Sequence, residues 1–138
     1  MTTRREVMTT VPLAGEIVQG AALDPGRTGG RVTVPREQLD GHDLVFRVTC
    51  ADLAAFGIES GDLLIVEPRP QGDAATAELV LVTLGGRAFV GRWWRKHGRR
   101  ALLDHALAPI AEGPMLRIVG AVTVVVRESY RNPREVSV

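Results

Sequence analysis

The chain has 138 residues, 45% hydrophobic and 24% charged, which suits one globular domain and argues against disorder. Its 17 basic and 16 acidic residues leave a net charge of +1, so no overall positive field favours nucleic acid. A single cysteine excludes an internal disulfide and a cysteine-based zinc site, and no apolar run reaches the roughly 20 residues needed to span a membrane. We expect a soluble, cytoplasmic domain with no metal and no cofactor.

Valine-rich runs bounded by glycine and proline predict a mainly β fold, because β-branched side chains suit a pleated surface. In chain order the predicted strands are Val11–Val18, Arg31–Val34, Leu44–Thr49, Asp62–Glu67, Glu78–Leu84, Arg87–Arg95, Arg100–Asp104 and Met115–Arg127. Tight hairpins are predicted at Gly85-Gly86 and His97-Gly98. Helix is limited to one or two short turns, at 35–39 and 51–56.

The ends of the chain are polar and lack apolar periodicity. This pattern predicts a flexible N-terminus over 1–10 and a flexible tail over 129–138, with one domain at 11–128. A helix-turn-helix needs a longer helical pattern than the chain contains. We therefore expect a stand-alone domain without DNA-binding helices.

The sharpest local signal is the run FGIESGDLLIV at 56–66, a glycine-containing turn that leads into a buried strand. With Arg47-Val48 before it, this run resembles the self-cleaving peptidase domain of LexA-type repressors and their UmuD relatives. Residues 11–20 resemble the segment with the family's cleavable bond, 89–93 the strand with its catalytic lysine, and 118–126 its final strand. The resemblance covers nearly the whole chain and implies twisted β-sheets in a partly open barrel.

The features that make this family an enzyme differ here. Asp52 stands at the position of the nucleophilic serine, and Gly91 at that of the general-base lysine. Gln19-Gly20 replaces the scissile Ala-Gly bond. Glycine cannot remove a proton from a nucleophile, and the chain's one lysine, Lys96, lies at an odd offset from Gly91, which points to the opposite strand face. The resemblance therefore implies an inactive peptidase.

Two interpretations of Asp52 remain open. It could cap the short turn at 51–56 by accepting backbone N–H bonds. Alternatively it lies in a former substrate cleft, where desolvation would raise its pKa and allow acid–base chemistry on a small molecule. Loss of the lysine at Gly91 would then open space for the ligand. The candidate residues of this repurposed cleft are Asp52, Cys50, Trp93, Trp94 and His97.

The run RWWRKHGRR at 92–100 interleaves five Lys and Arg residues with two tryptophans, a pattern typical of nucleic-acid surfaces. A β-hairpin is the favoured explanation, with Trp93 and Trp94 on opposite faces and the charges at the exposed turn. Members of the family are also basic at this hairpin. This comparison and the near-neutral net charge argue against specific nucleic-acid binding.

The leading hypothesis is an inactive LexA/UmuD-like domain that acts as a protein-binding, regulatory module. The final strand at 116–126, with Val122, Val124 and Val126, is the expected homodimer strand, and the former cleft could capture an extended peptide by strand addition. The alternative is a small-molecule or enzymatic site around Asp52. A third reading is residual self-cleavage near Gln19-Gly20.

Overall fold

A computed structural model describes residues 7–23 and 30–127 of the chain. The fold is 52% strand and 5% helical, with a curled sheet that forms an open half-barrel and two lone 3-10 turns, so the predicted fold class is confirmed. The ten strands are β1 Met8–Pro12, β2 Gly15–Ile17, β3 Arg31–Pro35, β4 Leu44–Val48, β5 Leu63–Pro68, β6 Leu79–Leu84, β7 Arg87–Lys96, β8 Arg99–Leu103, β9 Pro109–Glu112 and β10 Arg117–Val126.

Eight of these strands form the large sheet, in the order β2-β4-β5-β10-β6-β7-β8-β9. The β2–β4 pair is parallel, and the other pairs are antiparallel. Strands β1 and β3 form a separate antiparallel ribbon. Strand β10 lies centrally because its first half pairs with β6 and its second half with β5.

The predicted single strand at 11–18 is two strands, which is a correction. The backbone N–H of Leu13 donates to Gly30, and that of Ala14 donates to Val45, so the chain leaves the ribbon here and joins the large sheet. Strand β1 begins at Met8, so residues 8–10 of the predicted flexible N-terminus lie in a strand. Residues 1–6 and the tail at 129–138 lie outside the described residues.

Both predicted tight hairpins are confirmed. Gly85 and Gly86 have φ of 58° and 81°, and His97 and Gly98 have φ of 52° and 76°, the left-handed conformations that two-residue hairpin turns require. The two 3-10 turns span Arg36–Gln38 and Ala54–Phe56. In the described part of the chain no helix is long and apolar enough to cross a membrane.

Candidate functional site

One buried cluster lies beside all three positions that the resemblance assigns to cleavage, namely Gln19-Gly20, Asp52 and Gly91. Ile17 precedes Gln19, Leu53 and Ile58 belong to the loop that carries Asp52, and Val90 precedes Gly91; these four apolar residues are fully buried together. The parallel pairing of β2 with β4 continues into this loop, since the N–H of Thr49 donates to the carbonyl of Ile17 at 3.0 Å. The core therefore positions the segment at 15–22 against the Asp52 loop and β7.

The side chain of Gln19 is bound to the backbone of β7. Its Nε2 donates to the carbonyl oxygen of Val90 at 2.9 Å, and the Val90 N–H donates to its Oε1 at 2.8 Å. A primary amide presents one donor and one acceptor in the spacing of a peptide group, so it can replace one residue of a β ladder. Gln19 is consequently docked beside Gly91.

The residues after Gln19 continue the same edge. The Gly20 N–H donates to the carbonyl of Ala88, and the Ala88 N–H donates to that of Ala21, both at 2.8 Å. On this edge β8 pairs with β7 only from Arg92 onward. The Gln19 amide thus bridges the gap between the end of β8 and Gly20, and the segment at 19–22 seals the β7 edge over 87–91.

Gly91, which the resemblance places at the family's lysine, has no room for a side chain. A Cβ on this buried glycine would lie 2.7 Å from the carbonyl oxygen of Leu103 and 2.8 Å from Cγ of Leu102. Both distances are shorter than real Cβ contacts. The expectation that loss of the lysine opens space is wrong, because the chain after β7 folds back and fills it.

Asp52 is exposed, and among the described residues its carboxylate has no hydrogen-bond or ion-pair partner. The 3-10 turn at Ala54–Phe56 begins after Leu53 and has no side-chain cap, so the predicted capping role is wrong. The acid–base interpretation depends on desolvation of Asp52. An exposed carboxylate lacks that desolvation.

The far end of the Asp52 loop is clamped to β10. Asp62 is 2% exposed, and its two carboxylate oxygens accept hydrogen bonds from Nε and Nη2 of Arg127 at 3.2 and 3.1 Å. Arg127 also donates to the carbonyl of Gly57 and pairs with Glu59. The hydrogen bonds from Arg127 to Asp62 raise the pKa of the Arg127 guanidinium above its usual value. This clamp fixes the loop to the end of the strand expected to form the dimer.

The five residues of the predicted repurposed cleft do not form one site. Cys50 packs half-buried against the cluster of Ile17, whereas Asp52 is exposed. Trp93 is buried in a different core cluster on the other face of the sheet, and His97 is exposed in the hairpin turn. Trp94 is half-buried on the opposite face from Trp93, as the strand period predicts. Within 7–23 and 30–127 no three His, Cys, Asp or Glu residues are grouped to hold a metal ion.

The side chains of the predicted dimer strand face their own chain. Val122 packs against the cluster of Ile17, while Val124 and Val126 pack against the cluster formed by β3, β4 and β5. The exposed side chains of this stretch are Thr123 and Val125. Strand β6 pairs with β10 only over 117–121, so beyond Ala121 that edge of β10 has no strand partner in the described chain.

The hydrogen-bonding roles of two residues, Gln19 and Arg127, were not predicted from the sequence. Gln19 counted only as a changed cleavage residue, because its partner Val90 is 71 positions away. Arg127 had no assigned role. A signal for it existed in Asp62, since an acidic residue at the start of a buried strand requires a partner for its charge.

No protein-family model matches the chain. The chain is 32% identical over 127 residues to a LexA repressor of Geotalea uraniireducens (strain Rf4). The match covers 86% of this chain and 62% of that repressor, so the chain spans less than two thirds of the relative's length. This similarity and the observed β architecture support membership of the chain in the LexA-like family.

Proposed function

We propose that the chain is a LexA-like domain that does not cleave itself and that functions through protein binding. The observation that carries this proposal is the filled space at Gly91, where Leu102 and Leu103 occupy the direction of a side chain. Without a base at this position, neither a serine nor the exposed Asp52 has a group that could activate it by the family's mechanism.

Because the segment at 19–22 already pairs with β7, a partner would bind at a different edge from the former cleft. Strand addition needs a free backbone edge, and the β7 edge over 87–91 is already paired in cis. The β10 edge over 122–126 offers such an edge, flanked by the exposed side chains of Thr123 and Val125. We assign homodimerisation to this edge, with the exposed side chains, rather than those of Val122, Val124 and Val126, facing the partner.

The matched relative is a repressor, and a regulatory role for this chain follows by analogy. Its mechanism here would be association with a second copy or another protein, with the cleavage segment retained as part of the fold. A small-molecule site in the former cleft finds no support, because the space at Gly91 is filled and Asp52 is exposed.

Light scattering combined with hydrogen exchange tests this proposal. At micromolar concentration the chain should have the mass of a dimer, and those amides of 122–126 that point away from β5 should exchange faster on dilution. The amide of Val90, paired within one chain, should be insensitive to dilution. A monomer at all concentrations, or dilution-dependent exchange at Val90 instead, would contradict the assignment.

A further inference from the structure

A pocket of about 620 Å³ lies on the sheet face formed by β7, β8 and β9. This volume is within the range typical of small-molecule sites. Neither Asp52 nor Gly91 lines it, so it is separate from the positions of the family's chemistry. A ligand in this pocket would therefore bind apart from Asp52 and Gly91.

Cross-strand pairing defines the floor of the pocket. Trp94 pairs with Ala101, and Ala101 pairs with Glu112, which places these three side chains in one row on one face. The next row contains Arg92, Leu103 and Pro109. The floor thus consists of an aromatic and aliphatic surface with charged groups at its borders.

Two residues in strained conformations form walls of the pocket. Ala77 has a φ of 73° and Leu107 a φ of 67°, and together with His97 they are the non-glycine residues with positive φ in the described chain. The Ala77 N–H donates to the carbonyl of Trp93 at 2.7 Å, and the Leu107 N–H donates to that of Asp104 at 3.0 Å. Leu107 nevertheless is 70% exposed. Strained residues held in place by hydrogen bonds often occur at functional sites.

The charges at the pocket favour an anion. Arg92 donates to the carbonyl of Ala77, and its guanidinium lies 5.7 Å from the centroid of the Phe56 ring. Arg99 and Glu112 have no hydrogen-bond or ion-pair partner among the described residues. Three guanidinium groups, those of Arg92, Arg99 and Arg100, and the carboxylate of Glu112 line the pocket and leave a net charge of +2. Arg92 and Arg100 donate to the backbone carbonyls of Ala77 and Leu116, so Arg99 is the lining guanidinium with no partner among the described residues.

We propose that this pocket binds a small aromatic monoanion, with its ring against Trp94 and its carboxylate or sulfonate paired with Arg99. A ligand that stacks on an indole needs an aromatic ring, and a ligand that pairs with a planar guanidinium needs an anionic group, so the ligand must carry both. The proposal is independent of dimerisation and of the loss of cleavage.

Titration with 2-naphthoate, followed by nitrogen-15 NMR, tests the site. The chain has 2 tryptophans, so it gives two indole N–H signals, which a Trp94→Phe variant assigns. We expect saturable binding at submillimolar concentration that shifts the Trp94 signal. Trp93 also lines the pocket, but its side chain is buried, so its signal should shift less. Uncharged 2-naphthamide should bind more weakly. Equal affinity for both probes, or no saturable shift up to millimolar concentration, would overturn the proposal.

Matched charge variants locate the anion. Arg99→Gln should weaken 2-naphthoate binding about 2- to 5-fold, as expected for a partly exposed ion pair. Lys96→Gln is the control, because Lys96 pairs with Arg99 across the hairpin but does not line the pocket. The control should bind as the parent does. Equal weakening by both variants would contradict a specific role for Arg99.

Discussion

Two strands of the large sheet, β7 and β10, each lack a neighbouring strand along part of one edge, and the chain treats these edges differently. Over 87–91 the β7 edge is closed by the backbone of 20–22 and the amide of Gln19. Over 122–126 the edge of β10 that faces away from β5 is open in the described chain. An exposed strand edge is a site for pairing with another chain.

This difference separates two regions of the large sheet. At the β7 edge the segment at 19–22 is paired within the chain, and the space beside Gly91 is filled by Leu102 and Leu103. Pairing with another chain needs an unpaired edge, and among the described residues β10 has one over 122–126. In the described chain one edge is therefore paired and the other is open.

The largest expected effect on stability follows from a substitution at Gly91, beside the paired edge of β7. Gly91→Ala should lower the free energy of unfolding by about 3 kcal/mol, because the added Cβ meets Leu102 and the Leu103 carbonyl at less than 3.0 Å. Gly41→Ala is the matched control, since nothing lies within 4 Å of its Cβ, and should change stability by less than about 0.5 kcal/mol. Urea unfolding measures both. Equal effects would show that the space at Gly91 is not filled.

Removal of the Gln19 amide should have an intermediate effect on the free energy of unfolding. Gln19→Ala loses two hydrogen bonds to Val90 and should lower the free energy of unfolding by about 2 kcal/mol. Hydrogen exchange at the Val90 amide should accelerate about tenfold or more. The exposed Gln38→Ala control should leave that rate unchanged. An unchanged Val90 rate in both variants would contradict the sealed edge.

The smallest expected effect is on dimer affinity, after a substitution at the open β10 edge. Val125 is 37% exposed, so Val125→Lys should leave the monomer folded but place like charges near each other across a symmetric β10 interface. The dimer dissociation constant, measured by sedimentation, should increase about tenfold, or about 1.4 kcal/mol. Met115→Lys is the control because Met115 is 63% exposed outside β10. Equal weakening by both variants would exclude this edge as the interface.

Local signals in the sequence predicted much of the fold. Paired glycines at 85–86 require left-handed turn geometry, and the alternation of Trp93 and Trp94 follows from the period of a strand. Strand β9 was missed because it has four residues, begins with proline and is bounded by weak signals. The split at 13–14 was missed because it depends on acceptors elsewhere in the chain, at Gly30 and Val45.

The site was less predictable because its character depends on tertiary packing. The change to glycine at 91 suggested vacant space, but β8 supplies the atoms that fill it. Asp52 suggested a cap or a desolvated acid, and only the fold shows that it is exposed. Residue identities at positions matched to the family pattern predict the loss of its catalytic groups, which remains a prediction, but they do not show how the space around these positions is filled.

Intact mass measurement after prolonged incubation at alkaline pH tests the central claim most directly, because these conditions deprotonate a lysine base or any substitute for it. The parent chain should retain its full mass, as should the Asp52→Ala variant. A fragment that ends at Gln19 in the parent and disappears in Asp52→Ala would contradict the account, because it would demonstrate self-cleavage with Asp52 as a participant.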